Sequence, residues 1–213
     1  MKKLFIPFIL IFIAFGSNAQ NLSENLGPWF YGSVVLKNTE VAKGPIYVDL
    51  EKDIVICKDK EGAMKAFTAY QIKYFHFYDQ ILKAERYYRS FNTKLKRSSR
   101  NHFFEVLAVG DMYYLRQEVE MLVPNSDYRY FFADNNETIG AKTCFVYYMY
   151  QDNEMIKIKN FKKQFLDQTV NYEEKIDNYV VEENINFVST EDQVKVIGYY
   201  NFLKEMEQAV SKK

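Results

Sequence analysis

The segment HFFEVLAVGDMYYLRQ, residues 102–117, concentrates the side chains of this sequence that are best suited to acid–base chemistry. It holds His102, Glu105, Asp111 and Arg116, and His102 is one of only two histidines in the chain. A histidine hydrogen-bonded to a carboxylate can act as a general base, and an arginine can stabilise negative charge in a transition state. Whether these residues act together depends on which faces of the local structure they share.

The turn chemistry of this segment favours a hairpin over an active site. Gly110 and Asp111 are typical of the two central positions of a type II′ turn. Such a turn places Glu105 opposite Arg116, as an ordinary cross-strand ion pair worth about 0.2–1 kcal/mol. His102 lies three residues before Glu105, so it is predicted to project from the opposite face of the strand.

The remaining groups with catalytic potential do not form a recognisable set. His76 lies in the alternating run QIKYFHFYD and is predicted to be a hydrogen-bonded sheet residue. The nucleophile pairs Cys57–His76 and Cys144–His102 stay open, but the chain contains none of the motifs HExxH, GxSxG, GxxxxGKS/T and GxGxxG. We therefore expect no catalytic residues, no metal site and no cofactor.

Cys57 and Cys144 are the only cysteines, which excludes a CxxC redox site and a zinc site built from cysteines. In an oxidising compartment the two residues could form one disulfide. Both lie in strand-like segments, where a free cysteine often packs as a small apolar side chain. The sequence leaves one bridge and two free thiols as alternatives.

The charge distribution argues against a nucleic-acid partner. The chain has 28 basic and 28 acidic residues, and a near-neutral protein exerts no long-range attraction on a polyanion. The basic run at Lys94, Lys96, Arg97 and Arg100 is therefore predicted to be a solvent-exposed loop. Contact with an anionic glycan or a lipid headgroup is the alternative for this loop.

Short strands joined by brief turns occupy residues 32–158. Their alternation predicts an antiparallel meander, curled or partly closed into a barrel, rather than β–α–β units. Aromatic residues make up 17% of the chain, and tyrosine and phenylalanine favour half-buried sheet surfaces. In the run QIKYFHFYD the alternation places Ile72 on the face of the alternating tyrosines. The candidate surface for a ligand or partner comprises Tyr74, His76, Tyr78, Tyr87 and Tyr88.

Helical periodicity replaces the strand pattern in residues 159–213. Asn160 is a predicted N-cap of a short helix, and a second helix is expected around Tyr172–Glu183. The order of strands first and helices last predicts an α+β fold in which the C-terminal helices pack on the sheet.

The last helix has the strongest capping signal. Ser189 with Asp192, or Thr190 with Gln193, can cap its N-terminus. Gly198 inside this helix costs about 1 kcal/mol relative to alanine, which suggests that another backbone approaches closely there.

The first twenty residues, MKKLFIPFILIFIAFGSNAQ, have the pattern of a secretory signal peptide. Lys2 and Lys3 precede an apolar run, and Ala19 ends a cleavage site of small residues. We predict a signal peptide at residues 1–19 and an N-terminal tail at residues 20–31. A membrane anchor is the disfavoured alternative, because spanning a bilayer needs about 20 apolar residues. The mature chain is expected in the periplasm or outside the cell, without a membrane span.

Three segments carry a resemblance to known proteins. They are GPIYVDLEKDIVICKDKEGAMKAFTAYQIKYFHF, FFEVLAVGDMYYLRQ and NYVVEENINFVSTEDQVKVIGYYNFL. On these segments the chain resembles a group of exported Bacteroidetes proteins of unknown function. The resemblance implies an exported compartment and assigns no catalytic residue.

The sequence favours a binding protein over an enzyme, because it offers an aromatic-rich sheet and no convergent catalytic set. We expect a non-enzymatic binding or cell-envelope interaction module whose partner is an envelope protein or a glycan. The first alternative is a lipocalin-like binder of a small apolar molecule inside the curled sheet. The second is a hydrolase that lacks a recognisable motif.

Overall fold

In a computed structural model of the chain, the described residues are 27–80, 82–93, 99–124 and 139–211, and side chains are described outside residues 120–143. Three features expected from the sequence lie beyond these ranges. They are the signal peptide, the basic side chains Lys94, Lys96 and Arg97, and the part of the predicted strand region at residues 125–138.

Within the described ranges ten strands precede three α-helices, which confirms the predicted α+β order. The strands are β1 Phe30–Leu36, β2 Val41–Asp49, β3 Ile54–Lys58, β4 Met64–Thr68, β5 Ile72–Asp79, β6 Ala84–Thr93, β7 Arg100–Ala108, β8 Tyr113–Pro124, β9 Ile139–Gln151 and β10 Glu154–Lys157. The helices are α1 Phe161–Gln168, α2 Glu173–Glu182 and α3 Thr190–Ser211, with a 3₁₀ turn at Val170–Tyr172.

All ten strands form one antiparallel sheet in the order β10-β9-β8-β7-β6-β5-β1-β2-β3-β4. The sheet consists of two meanders, β1–β4 and β5–β10, which are joined by the pairing of β1 with β5. The end strands β4 and β10 each pair with one neighbour, so the sheet is open. Of the two forms that the sequence left open, a curled sheet and a partly closed barrel, the barrel is therefore wrong.

The half of the sheet that runs from β5 to β4 is strongly curled. Thr68 at the end of β4 and Ile72 at the start of β5 are four residues apart, a span of at most about 14 Å. In a flat sheet β4 and β5 would lie four strand spacings apart, about 19 Å. Because the linker cannot reach that far, the strands curl and enclose a core. The largest side chains of that core are Phe75, Phe77, Tyr88 and Phe103.

Strand β5 shows the predicted alternation, with one exception. Phe75 and Phe77 are buried in the core of the curl, and Tyr74, His76 and Tyr78 lie on the outer face. A β-bulge shifts the register with β1 between Val35 and Leu36. The bulge turns Ile72 into the core, where it is fully buried, so its predicted position beside the tyrosines is wrong.

The β7–β8 hairpin pairs Glu105 with Arg116 as predicted, but its turn differs. The connection has four residues, 109–112, and a register shift lies between Val106 and Ala108. Gly110 is not at positive φ, so the type II′ turn is wrong. A side chain at Gly110 would instead overlap the amide of Asn201 in α3, which explains the glycine.

The helices pack against the end of the sheet formed by β7, β8 and β9. A second core joins sheet and helices, and its largest members are Met112, Tyr114, Met149, Phe161, Phe165 and Tyr200. Asn160 caps α1 by accepting from Lys163 N–H at 3.1 Å, as predicted. For α3 the two capping alternatives are resolved in favour of Ser189, whose hydroxyl accepts from Asp192 N–H at 3.4 Å.

Gly198 lies on the exposed side of α3 with nothing within 4 Å of the position that a Cβ would occupy. The close backbone approach expected there is therefore wrong. Among the described helices, none is both long enough and apolar enough to cross a membrane.

Candidate functional site

The candidate site forms where β8 separates from β7. β7 pairs with β8 only from Glu105 to Ala108, so the start of β7 is open on that side. The β2–β3 turn inserts there through Asp53, whose φ of 56° is in the left-handed region. Asp53 Oδ1 accepts a hydrogen bond from Phe103 N–H at 2.9 Å. β2 and β7 are four strands apart in the sheet, so only the curl brings them into contact.

His102 is held between Asp53 and Arg100. Its Nδ1 lies 2.8 Å from Asp53 Oδ2, and its Nε2 accepts a hydrogen bond from Arg100 Nε at 3.1 Å. Because an arginine N–H can only donate, Nε2 carries no proton and Nδ1–H donates to Asp53. Asp53 and His102 are buried and Arg100 is exposed. The three side chains form a hydrogen-bonded chain that runs from the interior to the surface.

A second polar group surrounds Glu105 on the other face of β7. Arg86 donates to its carboxylate at 2.7 and 3.1 Å, and Arg116 donates at 2.8 and 3.0 Å. Arg86 also lies 3.6 Å from Asp79. Burial alone would raise the pKa of Glu105, but the hydrogen bonds and charges of the two arginines outweigh it and lower the pKa. Glu105 is therefore an ionised structural residue.

These groups border an open cleft of about 900 Å³. One part of its wall is aromatic and is formed by Phe30, Tyr47, Phe77, Tyr88 and Tyr148. Nine ionisable side chains also line it, namely Asp49, Glu51, Lys52, Asp53, Arg86, Arg100, His102, Glu118 and Lys157, and Pro28, Val48, Leu50, Gln117 and Val119 complete the wall. A cleft with aromatic surface and a few fixed polar groups is the usual form of a small-molecule site.

The charged residues of the cleft differ in how far they are already paired. Lys52 is paired with Asp49 at 2.9 Å, and Arg86 is paired with Glu105. Among the described residues, Arg100 and Lys157 have no carboxylate partner within salt-bridge distance. The cations available to a ligand are therefore Arg100, at the start of β7, and Lys157, at the end of β10.

Four of the five residues predicted as a ligand or partner surface lie together on the outer face of β5 and β6. Tyr74 stacks on Tyr87 with ring centroids 5.3 Å apart. His76 Nε2 shares a hydrogen bond of 2.8 Å with the hydroxyl of Ser33, and His76 Nδ1 lies 3.5 Å from the carboxylate of Glu85. Tyr78 is 45% exposed. We call Tyr74, His76, Tyr78 and Tyr87 the outer tyrosine surface.

The fifth predicted residue, Tyr88, lies on the inner face and lines the cleft. It is 2% exposed, stacks on Phe75 at 4.9 Å and carries the Arg86 guanidinium 5.2 Å above its ring. Burial raises the pKa of its hydroxyl, so Tyr88 stays neutral. The structure therefore separates Tyr88 from the outer tyrosine surface.

Both cysteines are free thiols. Cys57 is buried in β3, and Cys144 is half-buried in β9, at distant positions in the strand order. Neither cysteine contributes to the cleft wall. The nucleophile pairs that the sequence left open do not form, since His76 contacts Ser33 and Glu85 and His102 contacts Asp53 and Arg100.

Asp53, Arg86 and Lys157 are among the residues of the site that the sequence missed. Asp53 is 49 residues from His102 in the chain and reads as an ordinary turn residue. Arg86 lies in an alternating run, and nothing in the sequence indicated which carboxylate would pair with its guanidinium. Lys157 lies on β10, at the far side of the sheet from the β2–β3 turn. The basic run did contain Arg100, but that residue starts β7 and is not part of a loop, which corrects the prediction.

The chemistry available to the cleft is recognition by hydrogen bonds, charge and aromatic contact. Both nitrogens of His102 already have partners, and the exposed carboxylates in the wall are those of Glu51 and Glu118. Among the described residues that line it there is no serine, threonine or cysteine. No group of three His, Cys, Asp or Glu side chains in the described part of the chain is placed to hold a metal ion.

Comparison of the chain with family models, with curated proteins and with solved structures gave no match.

Proposed function

We propose that this chain is an exported, non-enzymatic binding protein that holds a small ligand in the cleft between the β2–β3 turn, β7 and β8. The observation that carries the proposal is the chain of contacts Asp53–His102–Arg100, which ends in an exposed guanidinium at the cleft. A buried carboxylate and a buried histidine are costly to desolvate unless they are paired. Here the pairing presents a fixed cation to the cleft, and such preorganisation is typical of a binding site.

Export is the cellular part of the proposal. It is supported by the signal-peptide pattern of residues 1–19 and by the resemblance to exported Bacteroidetes proteins. A periplasmic or extracellular site would meet small molecules and glycans of the envelope.

The lining favours binding over hydrolysis. A hydrolase needs a nucleophile or an activated water next to a base that can take its proton. The Nε2 atom of His102 accepts from Arg100 Nε, and two arginines compensate the charge of Glu105. The exposed carboxylates Glu51 and Glu118 have no serine, threonine or cysteine beside them among the described residues of the wall. The alternative of an unrecognised hydrolase is therefore weaker than the binding proposal.

The lining also disfavours a purely apolar ligand. The inside of the curl is filled by packed side chains, including Phe75 against Phe103 at 5.0 Å and Phe75 against Tyr88 at 4.9 Å. The open cleft beside it carries nine ionisable side chains in its wall. An apolar molecule would strip water from these groups without replacing their hydrogen bonds.

A second candidate function is docking of an envelope protein on the outer tyrosine surface. The stacking of Tyr74 on Tyr87 and the 45% exposure of Tyr78 favour it, because exposed tyrosines are enriched at protein interfaces. This surface is separate from the cleft, so the two functions can be tested separately.

A fragment screen by ¹H–¹⁵N NMR of the mature chain tests the proposed function. We expect amide shifts from bound fragments to cluster in three segments that border the cleft: Tyr47–Asp53, Arg100–Phe103 and Gln117–Val119. Clustering on β5 and β6 at the outer tyrosine surface would favour the second candidate. Fragment hits scattered over the surface, with none at the cleft, would overturn the proposal.

A further inference from the structure

The arrangement around Arg100 indicates what kind of ligand the cleft selects. We propose that the cleft binds a ligand with a single carboxylate attached to an aromatic or apolar body, and that Arg100 holds the carboxylate. This inference rests on the proposed function of the cleft as a small-ligand site.

Arg100 is the arginine at this cleft whose N–H donors are not all hydrogen-bonded to described side chains. Its Nε donates to His102 Nε2 at 3.1 Å, and its terminal Nη groups have no hydrogen-bond partner among the described side chains. Arg86, by contrast, donates two hydrogen bonds to Glu105. A guanidinium presents a planar fork of N–H donors that matches the two oxygens of a carboxylate.

His102 acts as a positioning residue for this fork. Its ring is fixed by Asp53 at 2.8 Å, and Asp53 is itself fixed by Phe103 N–H at 2.9 Å. Because Nε2 accepts from Arg100 Nε, the plane of the guanidinium is restrained before a ligand arrives. A restrained arginine loses less side-chain entropy on binding than a free one.

The remaining charges of the cleft limit the ligand to one anionic group. Lys157 supplies a second cation, whereas Glu51 and Glu118 are exposed carboxylates in the same wall. The two exposed glutamates balance the two unpaired cations, so the described wall offers no surplus of positive charge for the second negative charge of a phosphate monoester, which carries about −1.5 to −2 at pH 7. The cleft therefore favours a carboxylate over a phosphate.

The aromatic wall accounts for the body of the ligand. Phe30 stacks on Phe77 with centroids 4.4 Å apart, and Tyr47 is half-buried next to Trp29 at 6.1 Å. The half-buried rings of Phe30 and Tyr47, which line the cleft, offer faces and edges for an aromatic or apolar group. Together with Arg100 they define a site with a cationic end and an aromatic end.

The test is a set of NMR titrations of the mature chain at pH 7 with phenylacetate, phenyl phosphate and the neutral phenylacetamide. We expect phenylacetate to bind at the cleft more tightly than either of the other probes. Arg100→Gln should raise its Kd at least tenfold and leave the weak binding of phenylacetamide unchanged. Arg100→Lys should raise the Kd of phenylacetate less than Arg100→Gln does, because it keeps the charge and loses the fork.

A matched control and a positioning variant complete the test. Lys43→Gln removes one positive charge from the exposed outer side of β2 and should not change the Kd of phenylacetate. His102→Gln should shift the Nε–Hε resonance of Arg100 and raise the Kd while the amide spectrum keeps its folded dispersion. An unchanged Arg100 resonance in that variant would show that His102 does not position the fork.

The outcomes separate this inference from the proposed function. If all three probes bind at the cleft with equal Kd values and Arg100→Gln has no effect, the carboxylate site is wrong but the cleft still binds small ligands. If phenyl phosphate binds most tightly, the selection of a carboxylate is wrong. If no probe shifts a resonance of the cleft, both the inference and the proposed function fail.

Discussion

The carboxylate of Glu105 accepts four hydrogen bonds from Arg86 and Arg116 while it is 6% exposed. Removing one partner of a buried ion pair leaves charge without compensation and typically costs about 3–5 kcal/mol. We therefore expect Glu105→Gln to lower the free energy of unfolding at pH 7 by about 3 kcal/mol. Urea unfolding followed by circular dichroism measures this difference.

The same residue predicts a pH dependence. The folded-state pKa of Glu105 is lowered from 4.5, so its stabilising contribution is present at pH values above 4.5 and is lost as the pH falls through the lower folded pKa. The stability difference between the natural chain and Glu105→Gln should therefore shrink as the pH is lowered from 7 to 3. Lys52→Gln, at an exposed pair, should show little difference at any pH. A constant difference for Glu105→Gln would contradict this account.

Thiol chemistry at Cys57 and Cys144 gives a further prediction. Both are free, and burial, together with nearby Asp59, raises the pKa of the Cys57 thiol. We expect the unfolded, unreduced protein to take up two equivalents of iodoacetamide, and the folded protein to react first at Cys144. Mass spectrometry of the labelled peptides measures both. Absence of labelling in the unfolded, unreduced protein would demonstrate a disulfide instead.

At the scale of elements, α3 is attached to the sheet through Asn201. Its side chain accepts from Met112 N–H at 2.8 Å and donates to Met112 C=O at 2.8 Å and Val109 C=O at 3.3 Å. This contact fills the space in front of Gly110. The helix therefore fixes the conformation of the β7–β8 turn.

Two glycine substitutions test this attachment as a matched pair. Gly110→Ala places a Cβ against the amide of Asn201 and should lower the free energy of unfolding by about 1–3 kcal/mol, the usual cost of overpacking. Gly198→Ala adds a methyl group where nothing lies within 4 Å and should raise the free energy of unfolding by about 1 kcal/mol. Differential scanning calorimetry would show opposite changes in Tm, and a neutral Gly110→Ala would argue against the contact.

The sequence predicted the elements well where local chemistry determines them. The cap at Asn160, the alternation of Tyr74 and Phe75, and the pairing of Glu105 with Arg116 follow from side chains within a few residues of each other. The type II′ turn predicted at Gly110 was wrong. The glycine is required because Asn201, about ninety residues away in the chain, fills the space that a side chain would occupy. A local pattern contains no information about such a neighbour.

At the scale of the whole molecule, the curl of the sheet creates the candidate site. It brings Asp53 of the β2–β3 turn against His102 and Phe103 of β7. The sequence predicted a curled antiparallel sheet, but it did not predict which turn would meet which strand, because that depends on the degree of curl. The alternation in β5, which places Tyr74, His76 and Tyr78 on one face, could be predicted locally, whereas the cleft could not.

Export is a prediction for the whole chain. The basic and apolar residues of the first segment and the small residues before Gln20 favour cleavage after Ala19. When the full chain is expressed in a bacterial host with a functional secretion pathway, we expect its N-terminus at Gln20 in the periplasmic or culture fraction. Intact mass and N-terminal peptide mapping measure this. An uncleaved chain confined to the cytoplasm would contradict the prediction.

The central claim, that the cleft binds a small ligand, is tested most directly by a crystallographic fragment screen of the mature chain. The account predicts electron density for bound fragments between the β2–β3 turn and β7, with an anionic group of the fragment within hydrogen-bond distance of Arg100. A screen in which fragments occupy other surfaces, and the cleft holds none of them, would contradict it.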